Sequence, residues 1–225
     1  MANYFYLTLD TTAPSNATIS IEWGAAYTTD HLVTLSIGTT DGDTDGYQMM
    51  IWGDVNTTYD SSVQTAKGDS SWISYNNSKQ IKLSDGDEKK FIYLKIRDDV
   101  WNESEEVSES INLDTTIPTV TLTNPDVSIV SKNIGKNVAS FSFSSDEDFT
   151  EFKVKVVNAT GAAHDTGTEI DTTHGSVNTS GDEGYSANTP INVQVTGDDI
   201  EQASSGDGQK VIKVFIKDHS GKWSV

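Results

Sequence analysis

The sequence predicts an all-β chain of two tandem two-sheet sandwiches. Three observations predict it. Apolar residues alternate at a period of two, turn residues punctuate them at short intervals, and two separate blocks of sequence recur in the same order.

The alternation runs through both halves. Val33, Leu35 and Ile37 form one stripe, Tyr47, Met49 and Ile51 a second, and Ile92, Leu94 and Ile96 a third. Further along, the same spacing joins Ala139, Phe141 and Phe143, then Phe152, Val154 and Val156, then Ile191, Val193 and Val195, then Ile212, Val214 and Ile216. This spacing marks strands with one buried face. Turns fall between them at Asp41-Gly42, Asp45-Gly46, Ser84-Asp85-Gly86, Asn133 to Gly135 and Gly206-Asp207-Gly208. No stretch of ten residues carries a helical period, and Asp198 to Ser205 is expected to form one helical turn at most.

The recurring blocks set the units. Leu9-Asp10-Thr11-Thr12-Ala13-Pro14 returns as Leu113-Asp114-Thr115-Thr116-Ile117-Pro118. The block from Gly86 to Asp98 aligns without gaps on Gly206 to Asp218. Each unit offers about seven short strands, the pattern of an immunoglobulin-like β-sandwich. The expected organisation is an N-terminal strand at 1–9, a first domain at 10–113 and a second at 114–225. The second carries a long polar excursion over 158–189, anchored only by Ile170 and Val177 beyond small Ala. Excursions of this kind are where binding function sits.

Composition narrows the function classes. With 34 acidic and 15 basic residues the net charge is −19, which repels nucleic-acid phosphates and anionic lipid. The absence of cysteine excludes disulfides, thiolate metal sites and cysteine nucleophiles. The start, Met1 to Leu7, has no basic stretch, apolar core or cleavage site of a signal peptide, and no apolar run reaches spanning length. The expectation is a protein without membrane insertion or nucleic-acid partner. The four histidines, His31, His164, His174 and His219, share no metal spacing, and no nucleophile elbow or phosphate loop occurs. No catalytic residue is assigned, and an enzyme is not expected.

The repeated blocks resemble bacterial and bacteriophage tandem Ig-like repeats. The resemblance lies in the linkers Asp10 to Pro14 and Asp114 to Pro118, and in the late segments Ser84 to Ser104 and Ser205 to Ser224. The sequence departs from the family pattern at one turn, with Trp101-Asn102 where Gly-Asn is usual and Gly221-Lys222 in the second unit. The resemblance implies Ig-like topology and a structural virion protein, in capsid decoration or as a tail or baseplate accessory. Its partners would be other virion proteins or copies of itself, and its location the virion. The alternative is an adhesin module that binds a cell-surface glycan or receptor.

Several residues are candidates for sites. Asp41, Asp43 and Asp45 lie in a D-x-D-x-D-G run, which can converge on Ca2+. The twelfth position is Trp52, which excludes an EF-hand, and the competing reading is an acidic hairpin turn between Val33–Ile37 and Tyr47–Trp52. Asp10 and Asp114 open the linkers that Pro14 and Pro118 stiffen. Their carboxylates either bridge a cation to Asp98 or Asp99, or accept backbone N–H groups in a turn. Trp52 occupies a strand, where a core Trp is usual in sandwiches. Trp101 and Trp223 follow the repeated Asp and either stack on sugar rings or pack over a sheet edge.

The repeat is offset against the chain. The first domain closes with a strand carrying Val107, Ile111 and Leu113, whereas the second reaches Val225 where its own closing strand is due. Tyr4, Phe5, Tyr6, Leu7 and Leu9 align with the closing strand of a preceding unit. One reading of that offset is an assembly strand that completes, or packs beside, the last domain of another copy or of a neighbouring virion protein by β-augmentation; the competing reading is the beginning of a longer fibre, or a second domain that closes without that strand.

Overall fold

Branched and aromatic residues at a period of two form strands throughout the computed structural model, which describes residues 3–225. Met1 and Ala2, the start of the expected N-terminal strand, lie outside the described residues. The chain divides after Thr115 into two units, each with its own core.

The first unit contains β1 (Thr18–Ile21), β2 (Tyr27–Thr28), β3 (Leu32–Gly38), β4 (Gln48–Gly53), β5 (Ile73–Ser74), β6 (Ser78–Lys82), β7 (Glu88–Arg97) and β8 (Val107–Leu113). They pair into two sheets, ordered β1-β3-β6 and β2-β8-β7-β4-β5. The pairings are antiparallel apart from β2 with β8. Inward residues of both sheets meet in one cluster. It joins Val33, Leu35 and Ile37 of β3 to Met49 and Ile51 of β4, Ile92, Leu94 and Ile96 of β7, and Ile111 and Leu113 of β8. Complete burial of side chains this size stabilises the fold by about 1.5–3 kcal/mol each. Two packed sheets in this order are an immunoglobulin-like sandwich.

The second unit contains β9 (Val120–Leu122), β10 (Val138–Ser145), β11 (Phe149–Val157), β12 (Thr168–Glu169), β13 (Ser180–Gly181), β14 (Ile191–Thr196), a helix α1 (Gly197–Ala203) and β15 (Val211–Asp218). One sheet runs β9-β10-β14. In the other, β15 pairs along one edge of β11, while β12 and β13 occupy successive parts of its opposite edge. Phe143, Phe149, Phe152, Val154, Val193, Val214 and Ile216 fill the core between the sheets.

Three expectations need correction. The segment after β3 is not a hairpin turn, because β3 and β4 belong to different sheets and the acidic loop crosses between them. Trp52 is 7% exposed but lies outside the core, since the inward positions of β4 belong to Met49 and Ile51. Its ring stacks on Tyr93 at 5.7 Å, with the Lys67 amine 5.2 Å from its centroid. Residues 198–205 hold more than one helical turn. The seven-residue α1 forms because Thr196 caps it, its hydroxyl accepting from the Asp199 N–H at 3.2 Å.

Candidate functional site

The two units share a long late strand and the turn after it, which makes their differences informative. β7 and β15 correspond residue for residue, Phe91 to Val211 through Asp98 to Asp218. At the far end, Ile96 N–H donates to the Ser104 hydroxyl at 3.0 Å, and Ser104 N–H returns to the Ile96 carbonyl at 2.8 Å. Ile216 and Ser224 repeat this at 3.1 and 2.9 Å. Both serines are buried.

The near end differs. In the first unit β8 covers β7 from Glu88 to Leu94. Among the described residues nothing pairs with the corresponding outer edge of β15, because its only strand partner is β11. The consequences appear in side chains. Ile92 is fully buried, whereas its counterpart Ile212 is only partly buried. The Lys90 amine donates to the Ser84 hydroxyl and the Asp85 carbonyl, and its side chain is fully buried. The Lys210 amine makes the matching bonds to Ser204 and Ser205, at 3.2 and 3.1 Å, from a partly exposed position.

The segment expected to serve as an assembly strand forms no strand in the chain. Tyr4, Phe5, Tyr6, Leu7 and Leu9 are 71–90% exposed. Tyr4 and Tyr6 meet edge to face at 5.7 Å.

The turn after the strand carries the two candidate aromatics. In the first unit Asp98 is fully used: Oδ1 accepts from the N–H of Val100 and Asn102, and Oδ2 accepts from the Asn102 side-chain amide at 2.7 Å. In the second, Asp218 Oδ1 accepts from the Ser220 hydroxyl and Lys222 N–H, and buried Oδ2 has no hydrogen-bond partner. Trp101 takes the left-handed backbone conformation, φ 72°, at the position where Gly221 has φ 92°. Its ring is 69% exposed and lies 4.9 Å from the Arg97 guanidinium, which also caps Trp72. Trp223 is covered instead. His164 stacks on it at 4.9 Å, and the Lys153 and Lys217 amines approach its ring.

The acidic run does not gather its carboxylates. Asp41 accepts from the Ser15 hydroxyl at 2.6 Å, from Ser15 N–H and from the Tyr47 hydroxyl. The Ser15 hydroxyl is the main cause of its lowered pKa. Burial, then Asp41, pushes the Tyr47 hydroxyl up to about 12. Asp43 accepts from Asp45 N–H in a local turn. Asp41 thus holds the residue that follows Pro14. Asp146 does the same in the second unit, accepting from Thr119 N–H after Pro118 at 2.8 Å. Both prolines are buried. Asp10 accepts from Thr12 N–H at 2.9 Å, a turn of the kind its position suggests. Asp114 donates its N–H to the Thr28 carbonyl beside β8.

The polar excursion is bound down rather than free. Lys155 donates to the carbonyls of His164 and Thr166, and Lys213 to those of Thr160 and Ala162. Ile170 is buried, but Val177, the other expected anchor, is 50% exposed. Tyr185, unremarked in the sequence, takes that role by stacking on Phe149 at 4.8 Å. Behind the excursion lies buried Asp199. Its Oδ1 accepts from His174 N–H and lies 2.9 Å from His174 Nδ1, and its Oδ2 accepts from Ser176 N–H and the Thr196 hydroxyl. Burial opposes ionisation, yet these donors outweigh it and hold the carboxyl below the usual range. A shallow groove of about 490 Å³ opens beside Val177, lined by Ser140, Ser142, Asn178, Asn192 and Gln194.

No family model matches the chain, and no curated protein matches it. Among solved structures it is similar to the fibronectin(III)-like modules of Clostridium thermocellum CbhA. The identity is 12% and the TM-score 0.43, with 92% of this chain and 90% of that chain covered. It is also similar to chitinase ChiA74 from Bacillus thuringiensis, at 13% identity and TM-score 0.30, where 92% of this chain spans 30% of that chain. Among the described residues no helix is long and apolar enough to cross a membrane.

Proposed function

We propose that the chain is a structural component of a bacteriophage virion, a capsid-decorating or tail or baseplate accessory, that assembles through β-edge contacts and performs no catalysis. The observation that supports this reading is the pairing of an uncovered strand edge on β15 with an exposed apolar segment at residues 4–9. Unpaired edges are normally blunted or covered, so one left open is a place for another strand. The resemblance of the linkers and late segments to phage Ig-like repeats supports the virion as the setting. Mass spectrometry of purified particles tests it: the chain should be present at a fixed ratio to the major capsid or tail protein. Its absence from particles, together with a full chain that stays monomeric at all concentrations, would overturn the reading.

A second reading, binding of a cell-surface glycan, draws on the groove beside Val177. Its amides and hydroxyls offer both donors and acceptors, which suits a ring of hydroxyls. A glycan array with the full chain tests it. Binding that Asn192→Ala and Gln194→Ala weaken would support this reading, and no binding to any glycan would remove it.

A further inference from the structure

We infer that residues 3–9 of a second copy of this chain form the strand that covers β15, in one defined register. The inference rests on the assembly reading above and gives it an occupant.

The register follows from the internal repeat. Leu9-Asp10-Thr11-Thr12 repeats Leu113-Asp114-Thr115-Thr116, so Leu7 stands for Ile111 and Leu9 for Leu113. Those two are the buried residues of β8, 1% and 2% exposed. β7 and β15 correspond across the other repeat, so each pair along β7 and β8 has a counterpart. Glu88 faces Leu113, Lys90 faces Ile111, Ile92 faces Glu109 and Leu94 faces Val107. Transferred to the second unit, Leu9 faces Gly208, Leu7 faces Lys210, Phe5 faces Ile212 and Asn3 faces Val214. The two leucines then fall on the core side, opposite Gly208 and Lys210 just ahead of β15, and Phe5 follows them on the same side opposite Ile212. Tyr4, Tyr6 and Thr8 fall on the outer side, because side chains alternate along a strand. A slip of one residue would put Tyr6 and Thr8 against the core and both leucines in water.

The state of the acceptor agrees. Ile212 and Lys210, the residues that Phe5 and Leu7 would face, are the two less buried than their counterparts under β8. The donor agrees as well, since Leu7 and Leu9 are 86% and 85% exposed in the chain alone.

The chain has no cysteine, so paired substitutions report this contact cleanly. The full chain carrying Phe5→Cys and Ile212→Cys should form disulfide-linked multimers on mild oxidation. Tyr4→Cys with Ile212→Cys, which faces the opposite side, should not. Equal cross-linking by both pairs, by neither, or only within single chains would overturn the inference. Leu7→Asp should weaken self-association about tenfold or more, and Tyr4→Asp much less. A peptide of residues 3–12, added to a chain lacking residues 3–9, should raise the melting temperature of the second unit. No shift, or a truncated chain that assembles as the full chain does, would overturn the strand assignment while leaving assembly itself standing. A full chain that never self-associates would remove both.

Discussion

The two units solve the same problem with unequal parts. In the first, β7 has a strand on each side, Ile92 is fully buried, and both oxygens of Asp98 are hydrogen bonded. In the second, β15 has a strand on one side, Ile212 is partly exposed, and Asp218 keeps a buried oxygen without a hydrogen bond. A repeat that preserves the turn serine, the lysine position and the strand register, yet leaves one edge open, separates what every unit keeps from what only the first unit has.

The largest expected effect tests the core under that edge. Ile92→Ala should destabilise the first unit by about 3–4 kcal/mol, since nothing can relax into a fully buried site. Ile212→Ala should cost the second unit only about 1–2 kcal/mol in the monomer. Urea denaturation of each variant measures the gap, and equal costs would show that the edge is covered within the chain.

Next come the carboxylates that hold the long loops. Asp199→Ala leaves several donors unmatched beside α1 and should cost about 2–3 kcal/mol. In the first unit Asp60 accepts from Ser62 N–H and hydroxyl and pairs with Lys79. Burial opposes its ionisation, but these partners bring it to about 2, from 3.8. A carboxyl lowered by folding adds stability above its unfolded pKa, and that stability is lost as the pH falls through the folded value. Asp60 should therefore release its loop between 3.8 and about 2, with Asp199 letting go in stronger acid. Hydrogen exchange across an acid titration should show residues 57–71 losing protection before residues 171–176.

A smaller effect comes from moving the turn chemistry between units. Lys222→Asn places a side-chain amide where Asn102 serves Asp98, and should stabilise the second unit by about 1 kcal/mol through Asp218 Oδ2. The smallest is Trp101→Gly. Relief of the left-handed backbone and loss of the Arg97 contact nearly cancel, leaving a change within about 0.5 kcal/mol. Thermal melts check both.

The core was legible in the sequence because alternation reports burial directly: every stripe from Val33 to Ile216 contributes to one of the two cores. The outer faces were not. Trp52 reads as a core residue by type, and only the loop over its sheet explains its burial from the other side. The spacing around Asp41 gives no sign of its hydrogen-bond partner Ser15, which lies 26 residues away. A signal existed in Asp146, which does the same for Thr119, although the two loops share little else. Val177 and Tyr185 exchanged roles because anchoring in a polar loop depends on which side chain meets an aromatic face, and local pattern carries no trace of that.

Ser224 sets a limit on what β15 can accept. By engaging the backbone of Ile216 from both directions, it closes the strand's outer side beyond that point with the chain's own turn. The accessible stretch is therefore a gauge that admits a short segment and stops a long one. A bare edge with no such stop would template stacking of like chains without end, the route to cross-β fibres. Here the buried hydroxyl that finishes the turn leaves only a short run of β15 unpaired, which limits the edge open to such stacking.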